Sequence, residues 1–254
     1  MPYRTNLIYR YDGSYQGFLC CVFECFRAKE LPVSIQSWEE DQQSLFGWKE
    51  IPTQKELADR VERSIPRKIS PQALHLVREG FLTCLPDREM VLLRFLLMGY
   101  KVGTKVTKFT THPVVHALEK GVLNLRNEAH HTLEFLRFSD TGEFLAARIA
   151  PNNRVLPLVA PHFCDRLPSE NFVIYDGNHG MGFLHRADSP GEFFHADQVE
   201  LPQSGEEERR WRELWKAFYR TIAVEGRENP TLRRSLCPKR YWPLMTELEE
   251  HSIR

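Results

Sequence analysis

A chain of 254 residues is long enough for one large domain or two small ones, and it can bury a core without metal or disulfide support. Its 34 basic and 34 acidic residues cancel, which excludes attraction of nucleic acid by the field of the whole molecule and leaves any such binding to a local patch. The six cysteines, Cys20, Cys21, Cys25, Cys84, Cys164 and Cys237, form no CxxC or CxxxCxxC spacing, so a zinc ribbon and a radical-SAM cluster are excluded and a reduced, cytoplasmic setting is expected.

Residues 6–11 read as a strand, because Leu7, Ile8, Tyr9 and Tyr11 are β-formers and Asp12-Gly13 is a turn signal. Ser14 then caps a helix with Phe18, Leu19, Val22, Phe23 and Phe26 on one face and Gly17, Cys20, Cys21 and Glu24 on the other. Apolar on both faces, it is expected to be buried, and Glu24 is the member that needs a partner. Residues 33–36 return as a short strand, giving a β-turn-α-β start. Thr53-Gln54-Lys55-Glu56 has capping-box form and opens a charged helix to Ser64; Ser70-Pro71 opens a second through Leu82. Helices over 86–99 and 113–130 make the segment 53–131 mostly helical. The longest apolar run, Met90 to Met98, is short and carries Arg94, and Met1-Pro2-Tyr3-Arg4 lacks a signal-peptide pattern, so no membrane segment is expected.

The pattern then changes. Expected strands 133–138 and 144–150 flank Asp140-Thr141-Gly142, and strands 172–175 and 181–185 flank Asp176-Gly177-Asn178-His179-Gly180, both hairpin signals. A short helix over 156–167 lies between them, and 193–196 can add an edge strand. The order ββ-α-ββ implies an antiparallel sheet with a helix on one face. Ser204-Gly205-Glu206-Glu207 starts a long helix to about Gly226, with an apolar stripe of Trp211, Leu214, Trp215, Phe218 and Ile222 opposite Arg209, Arg212, Lys216, Arg220 and Arg227. The expected fold class is α+β: a mainly antiparallel sheet with packed helices, a helical middle segment and a long C-terminal basic amphipathic helix. The expected division is 1–132 and 133–254, or a single compact domain.

Three groups of residues can carry chemistry. The Asp12-Gly13-Ser14 turn could offer backbone N–H groups to a phosphate, but Asp12 sets a negative charge where the anion would sit, so a tight turn with a cap is the preferred reading. Cys21 and Cys25, one turn apart, read as buried small hydrophobes, and His112 and His116 as surface or capping residues. Glu128, His130, His162, Asp165, Arg166, Asp176 and His179 bracket the expected sheet; these residue types can form a His/carboxylate acid–base pair or hold a divalent metal. No other cofactor is indicated. Finally, the cations of the C-terminal helix can track phosphates while Tyr241 and Trp242, beside Lys239 and Arg240, stack on bases; the competing reading is a solvated charged face. Lys101, Lys105 and Lys108 can extend a basic patch where the fold brings them near it.

Several blocks together resemble one bacterial family. They are Tyr11-Asp12-Gly13-Ser14 with Gly17-Phe18-Leu19 and Val22-Phe23-Glu24; Glu128-Ala129-His130 before Phe135-Leu136-Arg137-Phe138; Leu156-Pro157-Leu158 with Pro161-His162-Phe163 and Asp165-Arg166; and Asn229-Pro230 with Pro238-Lys239-Arg240-Tyr241-Trp242. The family is a domain of unknown function assigned to DNA metabolism or DNA repair. It occurs alone, associated with a radical-SAM repair-type protein, or fused to uracil-DNA glycosylase-like domains. The resemblance marks Asp12, Gly13, Ser14, Glu24 and Arg166 as signature residues. It implies a nucleic-acid-binding factor, with DNA and a radical-SAM protein as partners. Two other readings stand beside it: an enzyme on nucleic acid or nucleotides using Glu128, His130, His162 and Asp176, and a non-catalytic scaffold with an apolar surface patch.

Overall fold

The computed structural model describes residues 3–38, 45–200, 202, 205–223, 226 and 229–248. Two compact units divide the chain, Met1–Leu125 and Arg126–Arg254. It has an α+β composition, and among the described residues no helix is long and apolar enough to cross a membrane.

The first unit is built on β2 (Leu7–Tyr11), the centre of a three-stranded sheet with β4 (Ser34–Ser37) on one side and β5 (Gly47–Glu50) on the other. Both neighbours run parallel to it. A parallel pair needs a crossover, and α1 (Tyr15–Ala28) supplies the one from β2 to β4. β1 (Tyr3–Arg4) and β3 (Glu30–Leu31) add a short parallel pair. The helices α2 (Lys55–Lys68), α3 (Pro71–Phe81) and α4 (Arg88–Val102) follow, then a 3-10 turn over Gly103–Lys108 and α5 (Pro113–Phe135). Tyr9, Phe18, Leu19 and Val22 pack with Ile65, Val77, Leu92 and Phe95 in one core, so α1 is buried as its two apolar faces require.

The turn into α1 is an Asx turn with a cap. Asp12 Oδ1 accepts from the Ser14 amide (3.0 Å) and hydroxyl (2.7 Å), and Ser14 Oγ accepts from the Gly17 amide (2.9 Å). Asp12 Oδ2 accepts from the Thr53 hydroxyl at 2.7 Å, so Thr53 braces the turn instead of capping α2, whose N-cap Gln54 makes no side-chain cap bond. Burial raises the Asp12 pKa, but the hydrogen bonds from Ser14 and Thr53 outweigh it and hold the carboxyl below its ordinary value. Gly13 adopts φ +76°, where glycine carries no Cβ penalty.

The second unit holds a five-stranded sheet in the order β10 (Glu192–His195), β9 (Met181–His185), β8 (Phe172–Asp176), β7 (Leu145–Ile149), β6 (Ser139–Asp140). The expected mainly antiparallel sheet is corrected here: the outer pairs are antiparallel hairpins, but the central β7–β8 pair is parallel. The reason is α6 (Leu156–Arg166), which carries the chain back to the starting end and makes β7-α6-β8 a crossover unit. With the all-parallel sheet of the first unit, the arrangement is mixed. The expected strand over 133–138 is also corrected. Buried Leu125, Glu128, Ala129, Thr132 and Leu136 keep helical spacing, so α5 continues to Phe135 and leaves only β6 extended.

The C-terminal helix forms as α7 (Glu206–Ile222), and α8 (Pro230–Leu236) and a 3-10 turn over Lys239–Leu244 follow it. Five basic residues on α7 face four acidic ones, so it is amphipathic but close to neutral in charge. Ser204, expected at its cap, lies outside the described residues.

Packing at the α1 entry is tight enough to test. A Cβ on Gly17 would lie 2.2 Å from Asp12 Oδ1 and 2.7 Å from Thr53 Oγ1, so Gly17→Ala must displace the carboxylate that organises the turn. The expected outcome is a loss of about 1–3 kcal/mol, read from the urea midpoint at unchanged slope.

Candidate functional site

The second unit gathers its polar chemistry where the parallel strands β7 and β8 end. Beyond Ile149 the chain runs through Ala150-Pro151-Asn152-Asn153, and beyond Asp176 it turns through Gly177-Asn178-His179-Gly180. The two loops are laced together: the Gly177 amide donates to Ile149 O (2.9 Å), and Asn178 Nδ2 donates to Pro151 O (2.9 Å). Such strand C-termini are the usual seat of ligands in parallel sheets, because successive loops converge there.

Two buried carboxylates flank the laced loops. Glu128, on the second half of α5, is 2% exposed, and its oxygens accept from the Asn152 amide (3.1 Å), the Asn153 amide (2.7 Å) and Asn153 Nδ2 (2.7 Å), with Arg240 Nη1 at 3.5 Å. Asp176 is 1% exposed; Oδ1 accepts from the Asn178 amide (3.1 Å) and Oδ2 lies 2.6 Å from His179 Nδ1. A proton on Nδ1 satisfies that short contact, which leaves Nε2 as the acceptor. His179 keeps 17% of its side chain exposed. An imidazole oriented by a buried carboxylate and still partly exposed has the arrangement of a general base. Arg148 lies over the Tyr175 ring at 5.6 Å, and its Nη2 would be 3.1 Å from a Cβ on Gly177. It also lines, with Arg137, Ser139 and Arg212, a polar cavity of about 190 Å³.

The residues expected to be catalytic do not all converge. Glu128 and Asp176 sit on the two laced loops' supports, but His130 lies on an exposed part of α5, its Nε2 3.1 Å from Glu134 Oε1. His162 is exposed on α6, edge-on to Phe163. The histidine brought to a buried carboxylate is His179, whereas the Glu134 that His130 meets is exposed. Asp165 and Arg166 are exposed near the end of α6. Asn153 and Arg148 went unnoticed in the sequence; the Asn-Asn pair just after a strand is the only local signal that could have flagged the first. Among the described residues, no group of three or more His, Cys, Asp or Glu side chains could hold a metal ion.

The expected nucleic-acid residues are distributed unevenly. Arg212 is half-buried, bonded to Glu208 Oε1 (2.8 Å) and Ser139 Oγ (2.5 Å), and Lys216 is also half-buried. Arg209 and Arg220 are exposed, and Arg227 lies outside the described residues. The apolar stripe faces outward: Trp211 is 61% exposed and Phe218 51%, with Leu214, Trp215 and Ile222 likewise open. Tyr241 and Trp242 are buried with Phe135, Leu244 and Met245, and Trp242 Nε1 donates to Cys237 O at 3.0 Å. Arg240 lies over Tyr241 and Lys239 over Trp242, so these cations cover rings that are turned inward.

In the first unit, Glu24 finds its partners nearby. Its carboxylate takes a bidentate pair from Arg27 (2.7 and 2.8 Å) and a bond from Lys49 of β5 (2.8 Å). Cys21 and Cys25 are fully buried, where desolvation pushes their thiols up, and none of the six cysteines is in a disulfide. His112 Nδ1 accepts from the Val114 amide at the start of α5, and His116 is exposed.

The Arg27 hydrogen bonds hold the Glu24 carboxyl below its ordinary value of 4.5 against the effect of burial, with Lys49 adding to them. A depressed folded-state value means that the stabilisation is fully present above the unfolded value and is lost as pH falls through the folded one. Glu24→Gln is therefore expected to cost about 1–2 kcal/mol at pH 7 and to flatten the loss of stability below pH 4.5, measured by urea denaturation at pH 7 and pH 3.

Comparison with known proteins gives one match. The model of the family DUF4130, a domain of unknown function, matches residues 86–247, well over half of the chain, and the chain belongs to that family. No curated protein and no solved structure matches it.

Proposed function

We propose that this member of DUF4130 is a DNA-metabolism or DNA-repair factor that binds nucleic acid and works with a radical-SAM protein. The context comes from the resemblance of its sequence blocks to a repair-associated family. The observation that carries the partner half is the outward apolar face of α7, with Trp211, Leu214, Trp215, Phe218 and Ile222 all open to solvent. Scattered exposed apolar residues are ordinary, whereas a continuous stripe on one helix marks an interaction surface. Aromatic residues of this kind are the commonest anchors of protein interfaces.

The partner protein serves as the test. Trp211→Ala and Phe218→Ala change exposed positions, so the stability of the chain is expected to move by less than about 0.5 kcal/mol. Each is expected to weaken binding of the radical-SAM protein about 30-fold, the size of a hot-spot loss, measured by calorimetry. Unchanged affinity in both variants removes α7 as the docking face.

A second reading, catalysis on nucleic acid or nucleotides, rests on the 2.6 Å Asp176–His179 contact beside the Arg148 guanidinium. The imidazole would take a proton from water or a substrate hydroxyl, and the arginine would hold an anionic group. Under this reading His179→Gln lowers turnover of a DNA or nucleotide substrate about 100- to 10,000-fold with folding unchanged by circular dichroism. Equal turnover in the variant excludes the dyad.

A further inference from the structure

A cationic cleft lies in the first unit, on residues to which the foregoing assigns no role. Where α1 packs on α2, a cavity of about 290 Å³ opens between Phe23, Phe26, Val61 and Tyr100. Its floor is aromatic and partly open: Phe26 is 41% exposed and stands edge-on to Tyr100 with centroids 5.1 Å apart. The Tyr100 hydroxyl is held 2.6 Å from the Ser64 hydroxyl, which fixes the ring. A second cavity of about 470 Å³ shares Arg60, Ser64 and Lys68 with it and is also lined by Arg63 and Arg67.

Arg60, Arg63 and Arg67 share one face of α2 at steps of three and four, and Lys68 lines the same cavity from the adjoining side of the helix. Two of them already engage aromatic faces, Arg60 over Phe23 at 5.6 Å and Lys68 over Tyr100 at 6.0 Å. The nearby acids do little to offset them. Glu62 is turned to Arg78 of α3 at 2.8 Å, and Asp59 meets Arg63 only at 4.0 Å in an exposed pair. The 3-10 turn prolongs the basic character, since a Cβ on Gly103 would lie 3.8 Å from the Lys68 carbonyl, which places Lys101 and Lys105 near the same end of α2.

We infer that the α1–α2 cleft binds a short stretch of single-stranded nucleic acid, with one base against Phe26 and Tyr100 and the backbone phosphates along Arg60, Arg63, Arg67 and Lys68. An aromatic platform beside a row of cations is the physical form of sequence-tolerant single-strand binding. The row from Arg60 to Lys68 runs about 12 Å at 1.5 Å per residue, too long for the single phosphate of a mononucleotide and suited to several in series. A duplex, whose bases are stacked and paired, cannot place one on the aromatic floor without unpairing it. The inference rests on the nucleic-acid half of the proposed function and moves its contact surface from the C-terminal helix and tail to α2.

Fluorescence anisotropy on the full chain, with a labelled oligothymidylate, a duplex of equal length and a mononucleotide, tests it across a salt series. Wild type is expected to prefer the single strand. The double variant Arg60→Ala, Arg67→Ala is expected to bind at least 10-fold more weakly and to lose about 1.4 from the slope of log K against log salt, the share of two phosphates on a single strand. Phe26→Ala is expected to weaken binding about 5- to 150-fold with the slope unchanged, as loss of stacking does. These residues are exposed, so the variants are expected to fold, which thermal melts check. If the α2 variants bind as wild type while Lys239→Ala, Arg240→Ala loses binding, the site falls and nucleic-acid binding stands. If wild type binds no strand at any salt, both fall. Binding by the mononucleotide as tight as by the strand overturns the row of phosphates, as does loss of binding to anionic phospholipid vesicles in the same variants without any strand binding.

Discussion

A carboxylate taken out of water must be paired or hydrogen-bonded, because left alone it costs several kcal/mol. Among the described residues four of them, Glu24, Glu89, Glu128 and Asp176, are 9% exposed or less, and much of the architecture follows from how they are satisfied. Glu89 accepts from the Tyr11 hydroxyl at 2.9 Å and from Arg88, which ties the central strand β2 to α4. Glu24 requires Lys49, and Lys49 also reaches Glu30 at 3.2 Å, so β5 is drawn to the sheet edge beside α1 despite exposing most of its length. Glu128 holds the amides of Asn152 and Asn153, and Asp176 holds Asn178 and His179. The loops that build the candidate site are thus folded around two negative charges.

How much of this was legible follows the range of the forces involved. The Ser14 and Ser70 caps, the buried α1 and the hairpin turns at Asp140 and Asp176 are local and could be read from a few residues. β5 could not, since Gly-Trp-Lys-Glu has little strand propensity and owes its place to the Lys49 ion pairs. The parallel β7–β8 pair is not given by element order, because a helix between two strands fits a packed layer as well as a crossover. The signal was present in Phe172-Val173-Ile174-Tyr175, a run buried on both faces as interior parallel strands are. The site was legible as residue types but not as pairs: Glu128 and Asp176 stand out by type and His179 belongs to the wider set, yet nothing local chooses it over His130 or His162 as the histidine that meets a buried carboxylate.

The orientation of α7 has the same explanation on a larger scale. Periodicity finds an amphipathic helix but does not say which face turns inward. Arg212 settles it, since its guanidinium is engaged by Glu208 and by Ser139 of β6, and the apolar side is left to solvent. Burying a large apolar side chain is worth about 1.5–3 kcal/mol, so a helix that leaves five of them open forgoes more than a single surface ion pair returns. That imbalance is the physical argument for a cover over this face. The α1–α2 cleft differs in kind: its floor is a small aromatic patch and its rim is cationic, a combination matched by an anionic ligand with a planar group rather than by the flat apolar surface that α7 calls for. The two surfaces thus differ in the chemistry they present, one a broad apolar stripe and the other a small aromatic patch rimmed by cations.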